Sequence, residues 1–402
     1  MDKKQNFTEK RLFIILFIGL FVILMLPLAF MGYFFFNVHS NQVAFNELSR
    51  LNEEVVDNVE QIDLFLQQVH GDVLFLSELS SLEEVINGGV KTNLEKDFLS
   101  FANEKKIFHQ IRYIDENGQE IVRVDSKKGM PEIIRGNLQN KKDRYYFTEA
   151  INLEFGNIFI SPLDLNVENN EIENRGTEKE PAYVPVIRYA TPVFDSKGNS
   201  KGIVIINIYA EYFLEHINEE QKEGELIFLL DNNGFYLSHP VFEKEFGFMF
   251  DKDETFYNDY PEIAESIFSN TETEIMELGD NLVSFRYIYP KEDITQIEER
   301  ESHLEEDVED ILIRGTVKET EEDNFWVLID IKSKETVLSL SNDLRGEFLL
   351  IILSTMFIVG LAFVIFFILI SKKLRILNKS FRERSKKWKR ERLYFLSLLH
   401  FF

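Results

Sequence analysis

Two uncharged, apolar segments lie near the ends of the chain. Residues 12–36 and 348–370 contain no charged side chain, and each exceeds the roughly 20 residues that a helix needs to cross a bilayer. The first segment is too long for the apolar core of a signal peptide, and no small-residue cleavage site follows it. Both segments are therefore predicted to be transmembrane helices.

A helical repeat of apolar residues follows the first segment. Positions three and four residues apart are apolar from Leu48 to Leu76, which predicts one long helix over about 40–82. The apolar face of this helix could pack on the protein's own domain or form a homodimer interface. The pattern alone leaves both open, including both at once on different faces of the helix.

Short apolar runs separated by turn residues predict strands in the rest of the loop. Residues 110–114 and 119–125 are joined by Asp-Glu-Asn-Gly, a strong hairpin signal. Asp231-Asn232-Asn233-Gly234 repeats this turn, and a third glycine-marked turn lies at 195–198. The repetition predicts two related α/β modules in tandem, each with an antiparallel sheet. Further predicted elements are a helix at 94–102, a polar loop at 167–180 and a last strand at 325–330.

Charge predicts the orientation in the membrane. Four Lys or Arg residues precede the first span and eleven follow the second, whereas residues 37–347 carry 65 acidic and 29 basic residues. Because basic flanks stay on the cytoplasmic side, both termini are predicted to be cytoplasmic and 37–347 extracytoplasmic, in a two-span protein of the plasma (inner) membrane. So acidic a domain is not expected to bind nucleic acid.

Several kinds of chemistry are excluded or disfavoured. The chain has no cysteine, which rules out disulfides and thiolate metal sites. Oxygen ligands alternate from Asp164 to Glu168, but Asn169 and Arg175 stand where a calcium loop needs glycine and glutamate. We predict no metal, no cofactor and no catalytic residue. Because only 31 residues follow Ser371, we expect no enzymatic domain in this chain and an output domain that is lost or carried by a separate partner.

Several motifs carry a family resemblance. The runs Arg144-Tyr145-Tyr146-Phe147, 160–166, 187–195 and 202–208, in this order, resemble the membrane-distal module of a double Cache (PAS-like) sensory domain. This domain type occurs in bacterial two-component sensor histidine kinases and diguanylate cyclases. Residues 229–240 and 245–248 resemble its second module. The resemblance covers roughly residues 40–345.

The resemblance and the patterns together predict an α+β fold. Two tandem PAS-like (Cache) modules with antiparallel sheets would lie on a long N-terminal helix, flanked by two transmembrane helices. The predicted divisions are a cytoplasmic N-terminus (1–11), a first span (12–36), the long helix with the membrane-distal module (37–223), the membrane-proximal module (224–345), a second span (348–370) and a basic cytoplasmic signalling helix (371–402).

The resemblance implies a transmembrane sensor that binds a small solute in its distal module. The expected output is a two-component histidine kinase, with a diguanylate cyclase, a chemoreceptor or a protein-binding ectodomain as alternatives. A homodimer through the 40–82 helix is implied as well. The implied ligand contacts are Arg144 as a charge-assisted donor, Tyr146 and Phe147 as an aromatic wall, and Asp164, Arg188 and Thr191 as polar contacts.

The residue at position 207, an asparagine, narrows the class of ligand that is expected. Related domains that bind amino acids carry an aspartate on the closing strand to hold the ligand's ammonium group, and the matching position here is neutral Asn207. A buried ammonium without a counter-charge is costly, whereas an amide both donates and accepts hydrogen bonds. The predicted ligand is therefore a carboxylate or a neutral polar solute.

Overall fold

The chain forms two compact units. The computed structural model describes residues 2–399 except 128, 169–170, 178, 220, 223, 270–273, 291–324 and 341. One unit comprises Met1–Phe45 with Val337–Phe402, and the other is Asn46–Thr336. The helices are α1 (Asp2–Ser77), α2 (Ser80–Ile86), α3 (Thr92–Lys105), α4 (Tyr145–Ala150), α5 (Glu211–Glu219), α6 (Phe256–Asp259), α7 (Pro261–Phe268), α8 (Lys334–Leu340) and α9 (Asn342–Leu399).

The first unit contains the apolar parts of α1 and α9. Both helices are long and apolar enough to cross a membrane, by length and composition. Their side chains interlock: the ring of Phe17 lies 5.1 Å from that of Phe363 and 4.1 Å from that of Phe367, measured between centroids. The two predicted spans therefore form a packed helix pair.

The second unit contains two antiparallel sheets with the same topology. The strands are β1 (Phe108–Asp115), β2 (Glu120–Lys127), β3 (Met130–Ile133), β4 (Phe159–Ile160), β5 (Asp164–Leu165), β6 (Val167–Glu168), β7 (Glu171–Ile172), β8 (Pro185–Phe194), β9 (Ser200–Tyr209), β10 (Glu225–Asp231), β11 (Tyr236–Ser238), β12 (Ile275–Leu278), β13 (Asn281–Ile288) and β14 (Trp326–Ser333). The first sheet has the order β3-β2-β1-β9-β8-β4, with β5 also paired to β8, and the second has the order β11-β10-β14-β13-β12. In both sheets, the first strand of a hairpin lies beside the last strand of the sheet, so the predicted repeat of one module is visible in the strand order.

Three hairpin turns share one geometry, as the sequence predicted. In each, an aspartate Oδ1 accepts the backbone N–H groups two and four residues later, at 2.8–3.0 Å; the aspartates are Asp115, Asp195 and Asp231. The glycine three residues on adopts φ of +80° to +82°, which only glycine reaches without strain. The turns therefore fix the registers of β1–β2, β8–β9 and β10–β11.

The predicted apolar seam of α1 packs on the protein's own sheets. Of its nine positions, all except Leu48 are buried in this single chain: Leu51, Val55, Val59, Ile62, Leu66, Val69, Val73 and Leu76. Seven of these residues, from Val55 to Leu76, belong with strand residues of both sheets to one apolar cluster, which includes Ile206 on β9 and Leu328 on β14. The sequence pattern left two roles open for this apolar face, and the structure shows the first of them: the face packs on the protein's own domain.

The segment 167–180, predicted to be a loop, contains a short ribbon. Strands β6 and β7 pair with each other, Val167 opposite Ile172 and Glu168 opposite Glu171. The loop prediction was wrong at these four residues. Asn169 of the calcium-like stretch lies outside the described residues.

Candidate ligand-binding site

The first sheet has a polar row across one face. Cross-strand pairing sets Asp125, Gln110, Asn207 and Arg188 side by side on β2, β1, β9 and β8. Directly paired residues project from the same face of a sheet, and the last three are buried. Buried polar side chains need hydrogen-bond partners, so this face of the sheet is a candidate place for a ligand-binding site.

Helix α4 covers the apolar end of the same face. Tyr146 and Phe147 pack with Ala190, Ile203 and Ile205 in one buried cluster. Tyr146 also reaches the polar end, because its hydroxyl lies 3.5 Å from Arg112 Nη1. Its ring therefore marks the boundary between an apolar wall and a charged region.

Three cations surround Tyr146. The guanidinium carbons of Arg112 and Arg144 lie 5.5 Å and 6.0 Å from the centre of its ring, within the range of cation–π attraction. The third cation, Lys141, is buried and acts on the Tyr146 phenol electrostatically. We call Arg112, Lys141, Arg144 and Tyr146 the Tyr146 cluster.

The electrostatics show that the Tyr146 cluster is positive. Burial alone would raise the pKa of the Tyr146 phenol, but the Arg112 and Lys141 charges outweigh burial and lower it. Burial also lowers the pKa of the Lys141 ammonium, and the Arg112 charge adds to this effect. The lowered pKa of Tyr146 is the direction expected beside uncompensated positive charge, whereas the lowered pKa of Lys141 is the direction expected of a buried ammonium.

The nearby acids mainly neutralise a different cation, Arg123. Its guanidinium contacts Asp125 at 2.7 Å and Glu168 at 3.0 Å. Glu120, whose side chain is fully buried, lies 3.4 Å from Arg112 and 3.7 Å from Arg123. Within the part of the chain that the structure describes, neither Lys141 nor Arg144 forms an ion pair.

The cluster also contains donors without protein partners. The Nε atoms of Arg112 and Arg144 are buried and have no hydrogen-bond partner among the described residues. A buried donor left unpaired costs about 1–3 kcal/mol. An anion placed between these guanidinium groups would satisfy both their charge and their donors.

A second ionic group adjoins the cluster. Arg188 Nη1 donates to Asp164 Oδ1 at 2.6 Å and to the Tyr145 hydroxyl at 3.3 Å. Burial opposes the charge on Arg188, but the Asp164 carboxylate outweighs it and raises the pKa of the guanidinium. The Tyr145 and Tyr146 rings make an edge contact with centroids 5.6 Å apart, which links the two groups.

Comparison with known proteins identifies this sensory unit. A family model described as "Bacterial histidine kinase, sensor domain" matches residues 67–289, more than half of the chain. The chain belongs to this family of sensor domains. A search of curated proteins found no match.

Solved structures show that this sensor domain has the Cache-type fold. The extracellular domain of the candidate histidine kinase vpHK1S-Z8 is 19% identical with a TM-score of 0.58, over 75% of this chain and 96% of that chain. A domain of a sensory box/GGDEF family protein from Vibrio parahaemolyticus is 20% identical with a TM-score of 0.55, over 74% and 98%. The Pseudomonas aeruginosa amino acid chemoreceptor PctC, solved with GABA, is more distant, at 13% identity and a TM-score of 0.44 over 71% and 99%.

The sensor domain brings most of the sequence-predicted site residues together. Tyr146 and Asn207 both contact Arg112, whose Nη2 donates to Asn207 Oδ1 at 2.9 Å, and Arg144 lies over the Tyr146 ring. Asp164 and Arg188 form the adjoining ion pair. Together these residues link the polar row to the Tyr146 cluster.

Phe147 and Thr191 have other contacts. Phe147 is buried in the apolar cluster beneath α4, and the Thr191 hydroxyl donates to the Asn157 carbonyl at 2.9 Å. Phe147 therefore contributes to the apolar cluster between α4 and the sheet, and Thr191 anchors the loop before β4. Their direct contact with a ligand stays a prediction.

Arg112 and Lys141 were missed by sequence reasoning. Arg112 and Gln110 alternate with apolar residues along β1, a pattern that indicates a polar face on a buried strand. Lys141 is placed by the first hairpin, because its N–H donates to the Gly118 carbonyl at 2.6 Å. A Cβ at Gly118 would lie 2.6 Å from the Lys142 backbone, so glycine is needed for this approach.

Two other features of the sensor domain lie apart from the Tyr146 cluster. A surface groove lined by residues 153–155, Phe194, Asp195 and Gly198 shares no residue with the Tyr146 cluster. Glu54 on α1 and Glu225 and Asp330 in the second module have carboxylate oxygens within 4.8 Å of one another. Because protein cations already contact Glu54 and Glu225, we assign no metal ligands there.

Proposed function

We propose that this chain is a transmembrane receptor whose first Cache module binds a small carboxylate outside the plasma membrane. The observation that carries this proposal is the positive Tyr146 cluster, with two cations that lack ion-pair partners among the described residues. A carboxylate would accept charge-assisted hydrogen bonds from Arg144 and Lys141 while its carbon skeleton packs on Tyr146.

Asn207 supports a ligand without an ammonium group. Its side-chain oxygen already accepts from Arg112 Nη2 at 2.9 Å, and its Nδ2 donates to Gln110 Oε1 at 3.4 Å. An ammonium at this position would meet a guanidinium rather than a free carboxylate. We therefore rank carboxylates first, neutral polar solutes second and amino acids last.

The output proposed for the receptor is a histidine kinase of a two-component system. Membership in the sensor-domain family supports this output, and the apolar helices α1 and α9 support a membrane location. The receptor itself is proposed to be non-catalytic and to pass its signal to a kinase domain. We propose that residues 37–347 lie outside and that both termini are cytoplasmic, because the basic residues flank the spans.

Calorimetry on the full chain in nanodiscs tests the site. The probe is the organic acid that raises the melting temperature of the wild-type chain most. Arg144→Ala should weaken its binding by about 1.5–3 kcal/mol, roughly 10- to 150-fold, through the loss of a charge-assisted hydrogen bond. Lys142→Ala, the exposed neighbour, is the matched control and should bind as wild type. Unchanged affinity in Arg144→Ala would place the ligand elsewhere.

A further inference from the structure

A second charged cluster lies between α1 and the sheet of the second module, on the sheet face that α1 covers. Trp326 and Leu328 of β14 belong to the apolar cluster that includes α1. Because alternate residues of a strand share a face, Asp330 and Lys332 continue this face beyond the apolar contact. Ser284 and Ile227, which pair directly with Asp330 on either side, are uncharged.

Three acids and three bases form what we call the α1 clamp: Glu47, Arg50, Glu54, Lys222, Glu225 and Lys332. Arg50 contacts Glu47 at 2.7 Å and also pairs with Glu54 and Glu225. Lys332 Nζ lies 2.7 Å from Glu47 and 3.2 Å from Glu225, and Lys222 pairs with Glu54. The clamp joins α1 to β10 and β14 with balanced charge.

Asp330 is a fourth acidic residue beside the α1 clamp, and the three bases of the clamp are already matched by its three acids. Its side chain is only 1% exposed, and neither of its carboxylate oxygens has a hydrogen-bond partner among the described residues. One of its oxygens lies within 4.8 Å of oxygens of both Glu54 and Glu225. An ionised carboxylate here would be buried without a partner, beside two like charges, at considerable cost.

We propose that Asp330 is a proton-binding site that controls how firmly α1 is held on the second sheet. With the proton bound, Asp330 is neutral and the ion pairs of the α1 clamp are undisturbed. When the proton leaves, the new negative charge repels Glu54 and Glu225 and competes for Arg50. The contact between α1 and the sheet then weakens, and α1 continues toward the N-terminus into the first apolar span.

The electrostatics place this change near pH 8. Burial and then the Glu225 charge raise the pKa of Asp330 to about 8, against the opposing effects of Arg50 and Lys332. An unfolded aspartate has a pKa of about 3.9. The folded chain therefore binds one more proton than the unfolded chain between these values, so this contribution to stability falls as pH rises through the window and stays lost above it.

Hydrogen exchange of the full chain in nanodiscs tests the proposal. Amides of α1 at residues 46–60 should lose about tenfold in protection between about pH 6 and about pH 9, after correction for the intrinsic exchange rate. Asp330→Asn should remove this pH dependence. The exposed Asp253 provides the control, and Asp253→Asn should keep the wild-type profile.

Glu54→Gln provides an independent variant if Asp330→Asn does not fold. Removing a neighbouring negative charge should move the loss of protection to lower pH. The proposal is overturned if wild type and Asp330→Asn show the same pH profile, or if Glu54→Gln leaves the transition in place. It is also overturned if calcium or magnesium restores protection at about pH 9 in the wild type alone, because the site would then bind a metal ion and not a proton.

Discussion

Leu66→Ala tests the internal packing of α1, because Leu64 provides a control two residues away on the same helix. Leu66 is 4% exposed and belongs to the apolar cluster, whereas Leu64 is 56% exposed. Truncation to alanine removes three buried carbons, about 2.4 kcal/mol at 0.8 kcal/mol each, and the cavity raises the cost to about 3 kcal/mol. For a domain of this size, that loss lowers the melting temperature by about 6–12 °C.

The fluorescence of Trp326 provides the assay. This ring is buried and stacks on Phe213 with centroids 5.8 Å apart, and Trp388→Phe removes the other tryptophan of the chain. Leu64→Ala should change the melting temperature little, and any role of Leu64 in a dimer would appear in sedimentation instead. If Leu66→Ala dissociated a dimer and left the melting temperature unchanged, the apolar seam of α1 would be an intermolecular interface.

Three further predictions concern charge and topology. Glu168→Gln should increase the affinity for a carboxylate measured by calorimetry, because Glu168 pairs with Arg123 and its negative charge acts on Lys141 and Arg112. Weaker binding would show instead that Glu168 holds the site residues in place. Despite burial, hydrogen bonds from His109 and Arg175 lower the pKa of Glu173 to about 2, so its stabilising effect is present above about pH 4.5 and lost as pH falls toward 2. Glu173→Gln should accordingly melt at lower temperature at neutral pH and show a smaller further drop in acid, and an unchanged acid profile would refute this. Cysteines introduced at Ser40 and Ser385 of this cysteine-free chain should react oppositely with an impermeant maleimide, Ser40→Cys alone being labelled in intact cells; labelling of only Ser385→Cys would reverse the topology.

Local sequence signals predicted the turns and the repeat of the sheets. Each turn is formed by an aspartate that accepts hydrogen bonds from backbone N–H groups of the same turn and by a glycine with positive φ. Such a turn needs no contact with a distant part of the chain. The hairpins at Asp115, Asp195 and Asp231 were therefore visible in the sequence. The same reasoning could not separate the two uses of the α1 seam, because both bury the same apolar side chains.

The site was only partly predictable for a related reason. Arg144 and Tyr146 stand in a recognisable run, but Arg112 enters the cluster through the pairing of β1 with β9. Lys141 enters through a loop held by a distant turn. Cross-strand register is set by the whole sheet, so no short stretch of sequence reports that these cations converge.

A thermal-shift screen of matched compounds tests the central claim, that the first module binds a carboxylate beside Tyr146, most directly. Each organic acid is paired with its α-amino derivative and with its primary amide, so that members of a set differ only in charge and hydrogen bonding. The full chain in nanodiscs should be stabilised by one or more carboxylates above their partners, and Arg144→Ala should abolish the effect while Lys142→Ala keeps it. Stabilisation by the α-amino derivatives above the parent acids, unaffected by Arg144→Ala, would contradict the account.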